Sequence, residues 1–278
     1  MSRQWTAADI PAQTGKRIII TGANSGIGYH AALKLARKGA NIVLACRDRE
    51  KGEAALASLN MEAPGAQLEL AHLDLASLAS VHEFAANELA QHRPLHILVN
   101  NAGVMAPPKR LETADGFEMQ FGTNVLGHFA LTGLLLPALQ QTAAESGAES
   151  AEPPRIVTIA SIAHKRGSID LDDLQSKKTY GPMKAYQQSK LANLMLAFEL
   201  GRRLRASASP IISVAAHPGV AHTPLFSKGD YSAIERGMRK AFGEVIEILL
   251  NTDAEGALPT LYAATSPDAV DGGYYGPQ

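Results

Sequence analysis

The sequence predicts an α/β protein: a single domain on a doubly wound parallel sheet of about seven strands, with helices on both faces. Three observations carry this. Short apolar runs alternate with amphipathic stretches of helical period along the chain, the pattern of repeated βαβ units. The first run, Arg17-Ile18-Ile19-Ile20-Thr21, is apolar without alternation, as a strand covered on both faces must be, and it leads directly into a glycine-rich turn and a helix. A chain of 278 residues that is 46% hydrophobic also has the material for one large core.

Residues 1–15 read as a polar lead-in with one tryptophan, Trp5, packed on the outside of the domain. After the first strand, glycines at 22, 26 and 28 form the turn, and Ala31, Ala32, Leu33, Leu35 and Ala36 continue as a helix to Gly39. Residues 41–46 form the second strand, and the charged run Arg47-Asp48-Arg49-Glu50-Lys51 enters a helix reaching about residue 60. A third strand, 67–73, closes with Asp74-Leu75; a helix over 76–91, capped by Ser77, leads to a fourth strand, 95–99. That strand ends in Asn100-Asn101-Ala102-Gly103, and a long helix follows over 116–141.

The small, polar, proline-terminated stretch 143–154 is a surface loop, because 155–160 resumes the sheet. A helix over 185–206 and a strand over 211–216 come next. Residues 219–242 have the profile of a mobile flap, 252–265 form a last helix and 273–275 a last strand. One domain is therefore expected over 1–278.

Composition narrows the function. A net charge of −1 with dispersed signs gives no electrostatic case for nucleic acid or an anionic membrane. Nine histidines lie without ligand-like spacing, so no metal is expected. The one cysteine, Cys46, ends an apolar strand and reads as a buried structural thiol in a reducing compartment. No signal peptide opens the chain and no apolar run reaches 18 residues, so the expectation is a cytoplasmic protein with no membrane anchor.

In a doubly wound sheet, ligands lie at the carboxyl ends of the strands. The segments Thr21–Gly28, Arg47, Asp74, Asn100–Gly103, Ser161 and His217-Pro218-Gly219 all follow predicted strands. The turn Gly22-x-x-x-Gly26-x-Gly28 lets phosphates approach without a Cβ in the way, and the next helix offers free N–H groups to a pyrophosphate.

Tyrosine and lysine four apart on a helix share one face. A phenol has a pKa of about 10, and lowering it by ~3 with a nearby ammonium takes ~4 kcal/mol of differential stabilisation. Such a tyrosine can move the proton of an alcohol–carbonyl pair while hydride moves at a dinucleotide. The pattern occurs twice, as Tyr180-Gly-Pro-Met-Lys184 and Tyr186-Gln-Gln-Ser-Lys190. Gly181 and Pro182 break the first, so Tyr186–Lys190 is the working pair. Ser161, directly after a strand, can hydrogen-bond a substrate oxygen, and Asn124 in the long helix can hold a water behind Lys190. The plainer readings are a helix cap for Ser161 and a satisfied helix polar group for Asn124.

Taken together, the glycine turn, Asn100-Asn101-Ala102-Gly103, Asn124, Ser161, Tyr186-x-x-x-Lys190 and Pro218-Gly219 resemble a short-chain dehydrogenase/reductase over about residues 15–276. The resemblance implies a Rossmann fold and a catalytic tetrad of Asn124, Ser161, Tyr186 and Lys190. It implies that Thr21, Gly22, Asn24, Ser25, Gly26, Ile27 and Gly28 meet the cofactor. Arg47, Asp74 and Leu75 would serve its adenosine end, with Asp74 at the adenine. Asn101, Ala102 and Gly103 would line its path, Tyr186 and Lys190 would lie at the nicotinamide ribose, and Pro218, Gly219, Val220 and Thr223 would follow. Leu44-Ala-Cys-Arg-Asp-Arg-Glu-Lys-Gly52, Ser161-Ile-Ala-His164 and Ser189-Lys-Leu-Ala-Asn193 are similar to the retinol dehydrogenase and WW-domain oxidoreductase branch.

Cofactor choice rests on the residue after the second strand. A carboxylate there selects NAD; Arg47 instead can bind a 2′-phosphate, although Ser25 adds no charge where a second basic residue would. The alternative is a solvated Arg47 with Asp48 on the ribose. NADP(H) is expected over NAD(H), with a small carbonyl or alcohol substrate held by 104–115, 162–184 and 219–242 and a homo-oligomer as a further expectation. Two other readings share these motifs: a cofactor-sensing regulatory protein without turnover, and a double-bond reductase.

Overall fold

The computed structural model describes residues 4–146, 152–219 and 252–277. The expected flap, with Val220 and Thr223, lies outside the described residues apart from Gly219.

One sheet collects strands from Arg17 to Tyr275: β1 (Arg17–Thr21), β2 (Asn41–Cys46), β3 (Leu68–His72), β4 (Ile97–Asn100), β5 (Arg155–Ile159), β6 (Ile212–Ala216) and β7 (Tyr274–Tyr275). All pairings are parallel, in the order β3-β2-β1-β4-β5-β6-β7. The order reverses between β1 and β4, so a crevice opens at their carboxyl ends. Every residue of β1 is buried, and alternation sends its side chains to opposite layers. Ile18 and Ile20 join Ile42 and Leu44 against α1 (Gly26–Ala36) and α2 (Arg49–Glu62). Ile19 joins Val43, Leu98 and Ile156 against α3 (Leu78–Ala90) and the long helix α4 (119–146), through Val81, Phe84, Leu131, Leu135 and Leu139.

Three elements depart from the sequence reading. α4 begins as Met119–Phe121, widens to a π-helical turn at Gly122–Gly127 and continues as His128–Ser146. The expected start at 116 is displaced because Glu118 caps the helix, its carboxylate accepting from the N–H groups of Gln120 and Phe121. α5 spans Pro182–Ala206, three residues earlier than expected, since Pro182 sits at the first helical position, where its missing N–H costs nothing. The last helix is split into α6 (Asp253–Gly256) and α7 (Leu258–Thr265), with Pro259 in the opening turn of α7 and Thr252 and Glu255 forming a capping box on α6.

α4 is long and apolar enough to cross a membrane, yet Leu131, Leu135 and Leu139 are fully buried in the core. Trp5 packs edge-on against Tyr262 at 5.4 Å. Cys46 is buried, and burial pushes its thiol up to about 11. Segment 162–184 is held by hydrogen bonds within itself and to neighbouring residues. Asp173 accepts from the N–H groups of Lys177, Lys178 and Thr179, Arg110 donates to the Gln175 carbonyl, and the Glu118 N–H donates to Gln175 Oε1.

Candidate active site

The strand-end motifs meet at the crevice. Gly22 has φ +67°, and a Cβ there would come within 3.0 Å of Ala102. At Gly28 a Cβ would stand 2.5 Å from Asn101 Nδ2 and 2.6 Å from the Gly22 carbonyl, so the turn and the end of β4 are in direct contact. Asn101 stitches them further: its Nδ2 donates to the Thr21 carbonyl at 2.8 Å, and its N–H and that of Ala102 donate to Thr21 Oγ1 at 2.9 Å. Ser25 stands at the N-cap of α1 without a side-chain capping bond, which leaves the first-turn N–H groups as donors for a phosphate.

Beside this turn lies a cleft of about 430 Å³ lined by Asn24, Ser25, Gly26, Tyr29, Lys51 and α2. These features fit a dinucleotide: a cradle with no room for side chains, unpaired helix N–H groups and a cleft for the adenosine end. Arg47 is exposed at the start of the β2–α2 turn. Asp48 is occupied as the N-cap of α2, accepting from the Lys51 N–H at 3.1 Å and pairing with the Lys51 ammonium. The alternative of Asp48 on the ribose therefore competes with a cap already made. Asp74 accepts from the Ala76 N–H at 2.9 Å, and the Leu75 carbonyl abuts Gly127 on α4.

Tyr186 and Lys190 lie buried on one face of α5, with Lys190 Nζ 5.8 Å from the phenol ring centroid. Burial raises the Tyr186 phenol above its ordinary value, and a hydrogen bond with Ser161 pulls the other way. Burial therefore outweighs the lowering expected from Lys190, whose Nζ donates to the Ile159 carbonyl at 2.9 Å and whose ammonium burial pushes down to about 8. Ser161 makes the plainer cap, its Oγ accepting from the Ala163 N–H at 3.2 Å, and it also bonds Tyr186.

Asn124 sits in the π-helical turn, and both ends of its side chain are hydrogen-bonded. Oδ1 accepts from the Val104 N–H at 2.8 Å, while Nδ2 donates to the Val104 carbonyl and to Ser189 Oγ, each at 3.0 Å. Tyr180 stands outside α5, its hydroxyl donating to the Pro107 carbonyl at 2.7 Å, and Lys184 pairs with Asp170. The first Tyr-x-x-x-Lys pair is thus separated. Pro218 and Gly219 leave β6, with the Gly219 N–H donating to His217 Nδ1.

The sequence reading passed over three residues here. Ser189 bridges Asn124 to the Tyr186 carbonyl, Lys51 lines the cleft, and His128 bonds both Thr21 and Asn124. The only sequence signal for His128 is its place four residues after Asn124.

A family model described as short chain dehydrogenase matches residues 16–231. Retinol dehydrogenase 13 of Homo sapiens is 44% identical over 261 residues, covering 92% of this chain and 74% of that protein. Polyprenol dehydrogenase of Mus musculus is 42% identical over 259 residues, covering 93% and 74%. Among solved structures, an uncharacterized protein from Mycobacterium Paratuberculosis is 40% identical with a TM-score of 0.76, over 99% of this chain and 85% of that one. The resemblance to the retinol dehydrogenase branch is thereby upheld. The chain belongs to the short-chain dehydrogenase family, and is an NAD(P)-dependent oxidoreductase acting on CH–OH and C=O groups.

Proposed function

We propose that the enzyme interconverts a carbonyl compound and its alcohol with NADP(H), and that Tyr186 transfers the proton. The observation that carries this is the buried Tyr186 phenol, bonded to Ser161 and sharing a helix face with Lys190 at the carboxyl end of β5. When bound, the dinucleotide supplies or accepts the hydride. A phenol kept protonated by burial is the acid that carbonyl reduction needs at its Oη. Ser161 Oγ–H donates to the substrate oxygen as charge develops there. Lys190 holds the nicotinamide ribose and brings positive charge to the phenol in the oxidative direction. Asn124 holds residue 104 and α5 together, which keeps the proton-transfer groups in register.

NADP(H) is supported by the exposed Arg47 and by the engagement of Asp48 as a cap. Lys51 supplies a basic side chain on the cleft where Ser25 offers none. The relatives named for retinol and polyprenol make long isoprenoid alcohols the first substrates to try, with the pocket drawn from 104–115 and 162–184. Exposed Phe129 on α4 and Met195 and Phe198 on α5 support a homo-oligomer.

A panel of ketones, aldehydes and alcohols, including isoprenoid alcohols, tests the reading by nicotinamide absorbance in wild type and Tyr186→Phe. Turnover in wild type that falls ~10²–10⁴-fold in the variant supports it. An active Tyr186→Phe overturns the role of Tyr186.

A further inference from the structure

His128 is the first residue after the π-helical turn and is buried, and its ring joins two parts of the site. Nε2 lies 2.9 Å from Thr21 Oγ1, and Nδ1 lies 3.0 Å from the main-chain carbonyl of Asn124. Hydrogen accounting assigns the protons. Thr21 Oγ1 accepts the N–H groups of Asn101 and Ala102, which fills both of its lone pairs. Its single hydroxyl hydrogen goes to Nε2 at 2.9 Å in preference to the Val99 carbonyl at 3.4 Å. Nε2 is then an acceptor, and Nδ1–H donates to Asn124.

The His128 N–H is directed to the Val125 carbonyl, and its ring reaches the Asn124 carbonyl. A doubly protonated ring would set a second N–H against an oxygen with no lone pair left. Burial and the positive charge of Lys190 oppose that form as well.

We propose that His128 is a positioning residue, whose neutral Nδ1–H imidazole locks the end of β1 to the π turn and so sets the dinucleotide turn and the proton-transfer helix in one register. The linkage is continuous. Thr21 holds Asn101 and Ala102 beside the glycine turn, His128 carries that arrangement to Asn124, and Asn124 carries it through Ser189 to the Tyr186 carbonyl on α5. The inference rests on the roles proposed above for the glycine turn, Asn124 and Tyr186.

Two conservative variants divide the ring's two contacts. His128→Asn keeps a donor near the Nδ1 position, for Asn124; His128→Gln keeps an acceptor near the Nε2 position, for Thr21; His128→Leu keeps neither. In His128→Leu, kcat should fall at least about tenfold and KM for the dinucleotide should rise, since a small misplacement of reacting groups is costly. His128→Asn should recover kcat more than KM, and His128→Gln should recover KM more than kcat. Equal values for all three variants, or His128→Leu within twofold of wild type in both parameters, overturn the proposal.

A readout independent of turnover is the ¹⁵N spectrum of the imidazole in the full chain at pH 7. Signals of a neutral Nδ1–H tautomer support the assignment, and an Nε2–H tautomer or an imidazolium overturns it. Tyr186→Phe run alongside separates the two readings. If that variant stays active, the role of Tyr186 fails, while the tautomer and the cofactor KM still decide His128.

Discussion

Lys190 Nζ donates to the main-chain carbonyl of Ile159 at 2.9 Å, which ties the middle of α5 to the last residue of β5. The ammonium therefore serves two purposes: it closes a buried carbonyl and carries the charge near Tyr186. Lys190→Met removes both. Leaving that carbonyl unpaired should cost about 1–3 kcal/mol, offset in part because a buried charge is also removed. Turnover should fall about 10²-fold or more and KM for the cofactor should rise. Steady-state kinetics and urea unfolding check the two effects, and a variant with wild-type turnover would remove Lys190 from the chemistry.

Tyr180→Phe should leave turnover within a few-fold of wild type, because its hydroxyl is spent on the Pro107 carbonyl. The raised Tyr186 phenol also gives opposite pH trends for the two directions. Carbonyl reduction needs the protonated form and should hold steady through neutral pH. Alcohol oxidation needs the phenolate and should rise with pH. Rates measured from pH 6 to 9 in both directions test this; a rise of the reductive rate with pH would contradict it.

Removing Arg47 should cost affinity for NADP(H) and leave affinity for NAD(H) nearly unchanged. Arg47→Ala should lower kcat/KM for NADP(H) by about 10-fold or more, the scale of a lost charge-assisted bond. Lys51→Ala should lower it less, since Lys51 is already paired with Asp48. A wild type that prefers NAD(H) rules the assignment out.

His128 makes stability depend on pH. Burial pushes its imidazole from 6.5 down to about 4, with Lys190 acting in the same direction. Below pH 6.5 the unfolded chain binds a proton that the folded chain does not, so stability is full above 6.5 and is lost as pH falls toward about 4. From pH 7 to pH 5 the loss should be about 2 kcal/mol. Urea unfolding at both pH values, in wild type and His128→Asn, isolates the effect. An equal pH dependence in the two proteins would show that His128 does not carry it.

The centre of the sheet was legible because β1, β2 and β5 are mostly apolar runs; β2 matches its expected bounds, Asn41–Cys46. The strand-end motifs were legible for the same reason, since a parallel sheet determines where its ligand sites lie. The π turn was not, because its single phase shift is lost in a stretch whose apolar residues face both α5 and the sheet. Pro182 keeps Tyr180 off the helix, as read, but it also begins α5 three residues before the expected start. His128 reads in sequence as a core histidine, since its partner Thr21 lies 107 residues away. Lys51 reads as one charge in an amphipathic helix until the cleft beside Ser25 is seen.

The π turn also decides which kinds of change α4 can tolerate. Ahead of it and within it, Phe121 and Val125 face Ala192 on α5, while beyond it Leu131, Leu135 and Leu139 face the sheet. One extra residue in the turn adjusts the angular phase between these two faces, because an α-helix advances about 100° per residue. Deleting one residue at Leu126 would regularise the backbone into an unbroken α-helix and rotate one face away from its partner. The helix can absorb substitutions one side chain at a time, but a shift of its reading by a single residue would part the end that meets α5 from the end that meets the sheet.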